Sequence, residues 1–234
     1  GIQTLYNLVD MIFIGKLGGQ AITGIAFNMP LFFLVLGLTM GLGTGVTASI
    51  ARFIGQDDKK QADNSAEHAV FMAAIISVFL SLIGLMFGKI ILTFFGAKGE
   101  ILNLGWEYLR VMCIGMPFMI FSGFFRSILA GEGDMKFPMM IAGLGTVLNI
   151  ILDPIFIFEL EAYGGFGFGL GIAGAAMATV ISQVIVFFVF IYMLFFKDHS
   201  YITFRLRDFS FSTDIIWDIV KIGLPASLSM VVMA

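Results

Sequence analysis

The chain has 234 residues, of which 59% are apolar and 12% are charged, and its formal net charge is −3. A soluble domain carries about twice that charged fraction, so the composition excludes an ordinary soluble protein and indicates an integral membrane protein. With one cysteine, Cys113, the chain cannot form a disulfide framework or a thiolate metal site.

Long apolar segments predict transmembrane helices, each of about 20 residues. In chain order the predicted spans are 1–14, 22–51, 69–95, 104–125, 137–158 and 171–196. The connector 197–221 contains TDIIWDIVK, which is typical of an amphipathic interfacial helix, and a seventh span begins at 222 and continues to 234. Because the chain opens and closes inside apolar runs, we expect it to be an internal piece of a longer membrane protein.

Lysine and arginine concentrate in alternate connectors, which is the pattern of cytoplasmic loops. This bias predicts that the connectors 52–68, 126–136 and 197–221 lie in the cytoplasm. The first, third and fifth spans then run from inside to outside. His68 and His199 lie singly in these connectors, and we expect both to be solvated.

Two aspartates, Asp10 and Asp153, lie in the first and fifth predicted spans. A carboxylate inside a span costs about 2.5–3.5 kcal/mol on insertion scales. Its presence indicates a function, and the natural one is to take up and release a proton or a small cation. At 1.5 Å per residue both aspartates lie about 8–9 Å below the outer boundary, which predicts one shared cavity. The alternative is that a neighbouring helix satisfies each carboxylate separately.

Other polar side chains accompany the two aspartates. Asn149 precedes Asp153 by four residues and Asn7 precedes Asp10 by three, so each pair shares a helix face. The remaining candidates for the same network are Asn28, Tyr108, Thr179 and Gln183. Polar residues inside bundles also bridge helices, at about 0.6 kcal/mol each, and this purely structural role stays open for every one of them.

Three motifs carry a family resemblance: NLVDMIFIGKLG in the first span, ILAGEGDMKFPM between the fourth and fifth, and NIILDPIFIF in the fifth. Together they resemble the multidrug and toxic compound extrusion (MATE) family, in particular its prokaryotic branch of DNA-damage-inducible and staphylococcal-type exporters. The resemblance implies an all-α integral membrane protein with twelve helices in two six-helix lobes. Residues 1–196 would be the N-terminal lobe, 197–221 the inter-lobe linker and 222–234 the start of the second lobe, whose remainder would be the missing partner.

The resemblance also implies a function. Relatives are secondary antiporters rather than enzymes, and they export organic cations or drugs across the plasma membrane in exchange for H⁺ or Na⁺, without a cofactor or a nucleic-acid partner. Their coupling site corresponds to Asp10, Asn149 and Asp153, with Na⁺ expected at Asp10 and Asp153. A fourth-span tyrosine and a sixth-span threonine join the same network in relatives, and these correspond to Tyr108 and Thr179.

Two alternatives remain at this stage. A lipid-linked oligosaccharide flippase of the same superfamily would be expected to line its cavity with basic residues for a pyrophosphate. Here Arg110 is the basic residue that comes nearest to mid-membrane, which favours a cationic cargo. A passive channel or scaffold is the second alternative, and it differs from an antiporter because it gives no uphill movement.

Overall fold

A computed structural model describes residues 15, 17–159, 167–197, 199–204 and 209–233. Every regular element of this part of the chain is an α-helix. The helices are α1 (Gly19–Ala26), α2 (Met29–Gly55), α3 (Lys59–Phe94), α4 (Gly99–Gly131), α5 (Lys136–Ile157), α6 (Gly171–Phe196) and α7 (Thr213–Met233). The predicted all-α class is therefore confirmed.

Among the residues that the structure describes, five helical stretches are long and apolar enough to cross a membrane. They are α3, α4, α5, α6 and the stretch Gly19–Gly55, which joins α1 and α2. Helices suit this role because they satisfy their backbone hydrogen bonds internally, as the bilayer requires. These five stretches correspond to the second to sixth predicted spans. The first predicted span, 1–14, lies outside the described residues, together with Asn7 and Asp10.

Several helices are longer than the spans predicted from hydropathy. α3 begins at Lys59 rather than at 69, and α4 covers Gly99–Gly131 rather than 104–125. The connector predicted at 52–68 is reduced to 56–58, and the one predicted at 126–136 is reduced to 132–135. Hydropathy marks the apolar middle of a helix, whereas α3 and α4 continue through polar turns. The sixth predicted span, 171–196, coincides with α6.

The second predicted span, 22–51, is divided into α1 and α2. The N–H of Asn28 donates to the carbonyl of Ile25 at 2.9 Å, which is a tight turn at the end of α1. Pro30 is the second residue of α2, where a proline is tolerated because the first helical N–H groups have no partner within the helix. The chain therefore bends at Phe27 and Asn28.

α7 runs without interruption from Thr213 to Met233, so residue 222, where a new span was predicted to begin, is not a helix boundary. The predicted interfacial segment forms the first turns of α7, and its Trp217 is 64% exposed. The expectation of two solvated histidines is wrong for His68, which is fully buried. His199 is partly exposed and lies 2.9 Å from Asp134.

The chain divides into two compact units. The first unit comprises Gly1–Pro30, Phe79–Met119 and Ile141–Val186, and the second comprises Leu31–Val78, Ile120–Met140 and Phe187–Ala234. This division passes through individual helices. It is separate from the predicted lobe boundary between 196 and 222, which stays a prediction. All candidate polar residues that the structure describes belong to the first unit.

In the second unit, α2 and α7 approach each other along small residues. A Cβ on Gly45 would lie 2.1 Å from the carbonyl oxygen of Ile219, and one on Gly41 would lie 2.3 Å from the backbone nitrogen of Ser227. The two backbones are thus in direct contact, which small residues permit in membrane helices. Phe125 and Phe190 add a buried aromatic contact between α4 and α6.

Candidate functional site

The candidate site of the first unit contains a buried carboxylate beside a buried amide. Asp153 is 0% exposed and Asn149 is 2% exposed. Both lie on α5, and their spacing of four residues places them on one face. The amide nitrogen of Asn149 lies 3.3 Å from Oδ1 of Asp153. The spacing of four residues thus correctly predicted that Asn149 and Asp153 lie on one helix face, where they are in contact.

The same amide nitrogen lies 3.2 Å from the hydroxyl of Thr179 on α6. When the amide is rotated so that its nitrogen and oxygen exchange places, the nitrogen donates to Oδ2 of Asp153 at 3.1 Å. The amide oxygen then accepts from both the hydroxyl and the backbone N–H of Thr179, each at 3.2 Å. An ionised carboxylate only accepts hydrogen bonds, so this is the orientation that suits an ionised Asp153.

Two glycines explain why α5 and α6 come close enough for this bridge. A Cβ on Gly174 of α6 would lie 2.2 Å from the carbonyl oxygen of Phe156, and one on Gly145 of α5 would lie 2.8 Å from Val186. Any larger residue would separate the helices at these points. The absence of side chains at both positions lets the short side chains of Asn149 and Thr179 meet.

Asn28 forms a second polar contact in this unit. Its amide nitrogen donates to the carbonyls of Gly24 at 2.9 Å and Gly105 at 3.1 Å, which joins the bend after α1 to α4. Its amide oxygen is buried and has no hydrogen-bond partner among the described residues. Asn28 is thus bonded to the α4 backbone rather than to Asn149 or Thr179.

Two other sequence candidates, Tyr108 and Gln183, lie on α4 and α6. Tyr108 is buried on α4, at 7% exposure. Gln183 is half-buried on α6, one turn beyond Thr179. Asn7 and Asp10 lie outside the described residues, so a cavity shared by Asp10 and Asp153 stays a prediction.

The close contact between α1 and α4 around Asn28 was not predicted from the sequence. A Cβ on Gly24 would lie 3.1 Å from the backbone nitrogen of Gly105, and one on Gly105 would lie 3.0 Å from the Gly24 carbonyl. The signal was the presence of glycine at two helix positions of an apolar sequence. It gives no indication of which helices meet.

Comparison with known proteins adds a family match to this geometry. The model of the MatE family matches residues 2–155. The chain is 30% identical to the "Probable multidrug resistance protein YoeA" of Bacillus subtilis over 100% of the chain and 50% of that protein. It is likewise 30% identical to the "Multidrug export protein MepA" of Staphylococcus aureus, over 99% of the chain and 50% of that protein. The chain spans about half the length of these relatives.

Solved structures share the fold in two conformations. One is described as the outward-facing conformation of a multidrug resistance MATE family transporter of the MOP superfamily, with a TM-score of 0.90 and 38% identity over 99% of the chain and 50% of that structure. The inward-facing conformation of such a transporter matches with a TM-score of 0.90 and 40% identity, over 99% of the chain and 51% of that structure. With the five candidate spans, these matches indicate a multi-pass membrane protein.

Proposed function

The chain belongs to the MatE family, and on this premise we propose that it forms part of a secondary active antiporter in the cytoplasmic membrane. The antiporter exports organic cations or drugs in exchange for H⁺ or Na⁺. The observation that carries the proposal is the fully buried Asp153 carboxylate next to Asn149. Ionisable groups inside a membrane are costly and mark ion pathways.

In the proposed site, Asp153 binds the coupling ion and Asn149 transmits its protonation state to α6. When Asp153 is ionised, Asn149 donates to the carboxylate and accepts from Thr179. When Asp153 is protonated, its hydroxyl donates to the Asn149 oxygen, and the rotated amide donates to Thr179. The Thr179 hydroxyl then donates to the carbonyl of Ala175, which lies 3.2 Å away.

Both states use the same atomic positions with opposite hydrogen-bond direction. This is supported by the short distances in either amide orientation, which are between 3.1 and 3.3 Å. In the protonated state the amide nitrogen faces the backbone nitrogen of Thr179 at 3.2 Å, where two donors meet. An unpaired buried polar group costs about 1–3 kcal/mol, so proton uptake removes the bond from the Thr179 backbone N–H to Asn149 and weakens the bridge between α5 and α6.

Na⁺ would use the oxygens of the same residues. Carboxylate, amide and hydroxyl oxygens are the ligands that hard cations prefer, and Asp153, Asn149 and Thr179 provide one of each kind. Asp10 is proposed as the second carboxylate of the coupling site. The proposed cavity network further includes Asn7, Asn28, Tyr108 and Gln183.

We place this site in an alternating-access cycle. Uptake of the ion from outside neutralises one carboxylate and expels the cationic cargo, and the ion leaves on the inward side. Residues 1–196 form the N-terminal lobe and 197–221 connect it to a second lobe that begins near 222. The connectors 52–68, 126–136 and 197–221 are cytoplasmic. Support for the cycle comes from the matches to both outward-facing and inward-facing structures.

The experiment is drug export by the full-length transporter in vesicles, with the pH and Na⁺ gradients imposed separately. We expect Asp153→Asn to abolish uphill export, because the amide cannot take up a proton or balance a cation. Glu100→Gln is the matched control, since it makes the same change at an exposed position in the first turn of α4. Wild-type export by Asp153→Asn would refute the proposed coupling role. Cargo movement that never exceeds equilibrium would indicate a channel.

A further inference from the structure

The connector between α6 and α7 is held by side chains rather than by regular secondary structure. Its described residues are 197, 199–204 and 209–212, and all of them belong to the second unit. Five of its backbone N–H groups donate to side chains of α3 and of the turn between α4 and α5, namely those of Tyr201, Ile202, Thr203, Ser210 and Ser212. The backbone of the connector is thus bound by side chains of other elements of the fold.

The turn between α4 and α5 supplies two carboxylates. Glu132 accepts from the N–H groups of Tyr201 at 2.9 Å and Ile202 at 3.2 Å, and from the hydroxyl of Ser200. Asp134 lies 2.9 Å from Nε2 of His199. Both acids belong to the motif ILAGEGDMKFPM, to which the transport proposal assigns no role.

The backbone of this turn holds the two carboxylates in place. Gly133 has a φ of 90°, a left-handed conformation that favours glycine. The N–H of Asp134 donates to the carbonyl of Leu129, and that of Gly133 donates to Ala130. This is the Schellman pattern that closes a helix, and it places Glu132 and Asp134 on either side of the glycine.

The first turns of α3 supply the other side chains that bind the connector. Nζ of Lys59 donates to the carbonyl of Tyr201 at 2.8 Å, and Asp63 accepts from the N–H of Thr203 at 3.0 Å. Asn64 uses both ends of its amide on the backbone of Ser210, at 2.9 and 3.2 Å. These polar residues extended α3 beyond the predicted span, and their contacts explain why the helix is polar there.

His68 binds the last residue of the connector. Its Nδ1 lies 2.8 Å from the Asn64 carbonyl, which fixes the proton on Nδ1 and leaves Nε2 as an acceptor. Nε2 accepts from the N–H of Ser212 at 2.9 Å. α7 begins at the next residue, Thr213, so the buried His68 fixes the point from which α7 starts.

We propose that Glu132, together with Lys59, Asp63, Asn64 and His68 of α3, anchors the described residues of the connector, 199–204 and 209–212, to α3 and to the turn between α4 and α5. The role in transport rests on the proposed function. If α7 leads into the second lobe, movement between lobes is taken up beyond the part of α7 that contacts α2 through Ile219 and Ser227, and the anchor residues act as positioning residues for that movement. They are different residues from Asn149, Asp153 and Thr179, which are proposed to bind the coupling ion.

Amide hydrogen exchange in the full-length transporter tests the anchor directly. Glu132→Gln replaces one acceptor oxygen by an NH₂ group. We expect the Tyr201 N–H, which has its bond to Oε2, to exchange about tenfold faster, the factor that matches one hydrogen bond, whereas the Ile202 N–H keeps the Ser200 hydroxyl as an acceptor. Lys59→Ala should accelerate exchange of the same segment. Lys60→Ala is its matched control, because Lys60 is the exposed neighbour of the same charge. Exchange in Glu132→Gln and Lys59→Ala no faster than in Lys60→Ala would overturn the anchor.

Drug export by the same variants tests the positioning role. We expect the maximal rate to fall severalfold in Glu132→Gln while the apparent KM for the drug stays within about twofold, because none of the residues proposed to line the cargo cavity is changed. Faster exchange of the connector N–H groups together with an unchanged maximal rate of drug export would overturn the positioning role. If the wild-type protein exports no drug, the transport proposal fails, whereas hydrogen exchange still decides whether the anchor exists.

Discussion

Replacing Gly45 by alanine is expected to separate α2 from α7. The added Cβ would lie 2.1 Å from the carbonyl oxygen of Ile219 and 2.9 Å from its carbonyl carbon. These are backbone atoms, so no side-chain rotation relieves the contact. The shortfall from ordinary van der Waals contact is about 1.3 Å, and the helices must move apart by a similar distance.

The size of the effect follows from two opposing terms. Overpacking a close contact costs about 1–3 kcal/mol, while alanine is favoured over glycine inside a helix by about 1 kcal/mol. Separation of the helices also loosens the contact of Gly223 with Leu42, where a Cβ would lie 2.7 Å from a backbone atom. We therefore expect Gly45→Ala to destabilise the fold by up to about 2 kcal/mol.

Gly143→Ala is the matched control for this substitution. A Cβ on Gly143 would have no atom within 4 Å, so the variant gains helix propensity without a clash. Thermal unfolding of the full-length protein in one detergent compares the two. We expect the midpoint to fall for Gly45→Ala and to stay level or rise for Gly143→Ala. Equal midpoints for the two variants would refute the close packing of α2 on α7.

Three smaller predictions concern single polar groups. Thr179→Val should lower stability by only about 0.6–1 kcal/mol, because the Asn149 oxygen keeps the backbone N–H as a donor; thermal unfolding measures this. Asn28→Ala removes two buried hydrogen bonds and should cost more, about 1–3 kcal/mol in the same assay. The hydrogen bond from the N–H of Phe137 is the main cause that holds the pKa of Asp134 below its ordinary value, and His199 also lowers it. Desolvation acts in the opposite direction and is outweighed. The stabilisation by Asp134 is therefore present above the ordinary pKa and is lost as pH falls through the lowered one, so wild type and Asp134→Asn should differ in unfolding midpoint at neutral pH and converge in acid.

The transmembrane part of the fold could be predicted because hydropathy reports it directly. α6 coincides with its predicted span, and the spacing of Asn149 and Asp153 predicted one helix face. Thr179 was different, since its place beside Asn149 came from the family resemblance rather than from any periodicity. Spacing along one helix says which residues share a face, but it does not say which other helix that face meets.

The polar ends could not be predicted for a related reason. His68 and Asn64 look like solvated loop residues in the sequence, yet His68 is fully buried and both bind the connector. Their partners are backbone groups far away in the chain. A backbone N–H is present at every residue except proline, so it leaves no trace in the sequence.

Buried hydroxyl and amide side chains fall into two groups that the sequence does not distinguish. Some donate to a carbonyl one turn back in their own helix, as Ser182 does, and this bond carries no information between helices. Asn149 instead bonds a carboxylate on α5 and a threonine on α6. A change of charge at Asp153 alters which end of the amide faces the acid, and the other end then alters its bond to α6. The local coupling thus depends on an amide with two distinct ends, and Asn149→Leu should remove it even though Asp153 still takes up its proton.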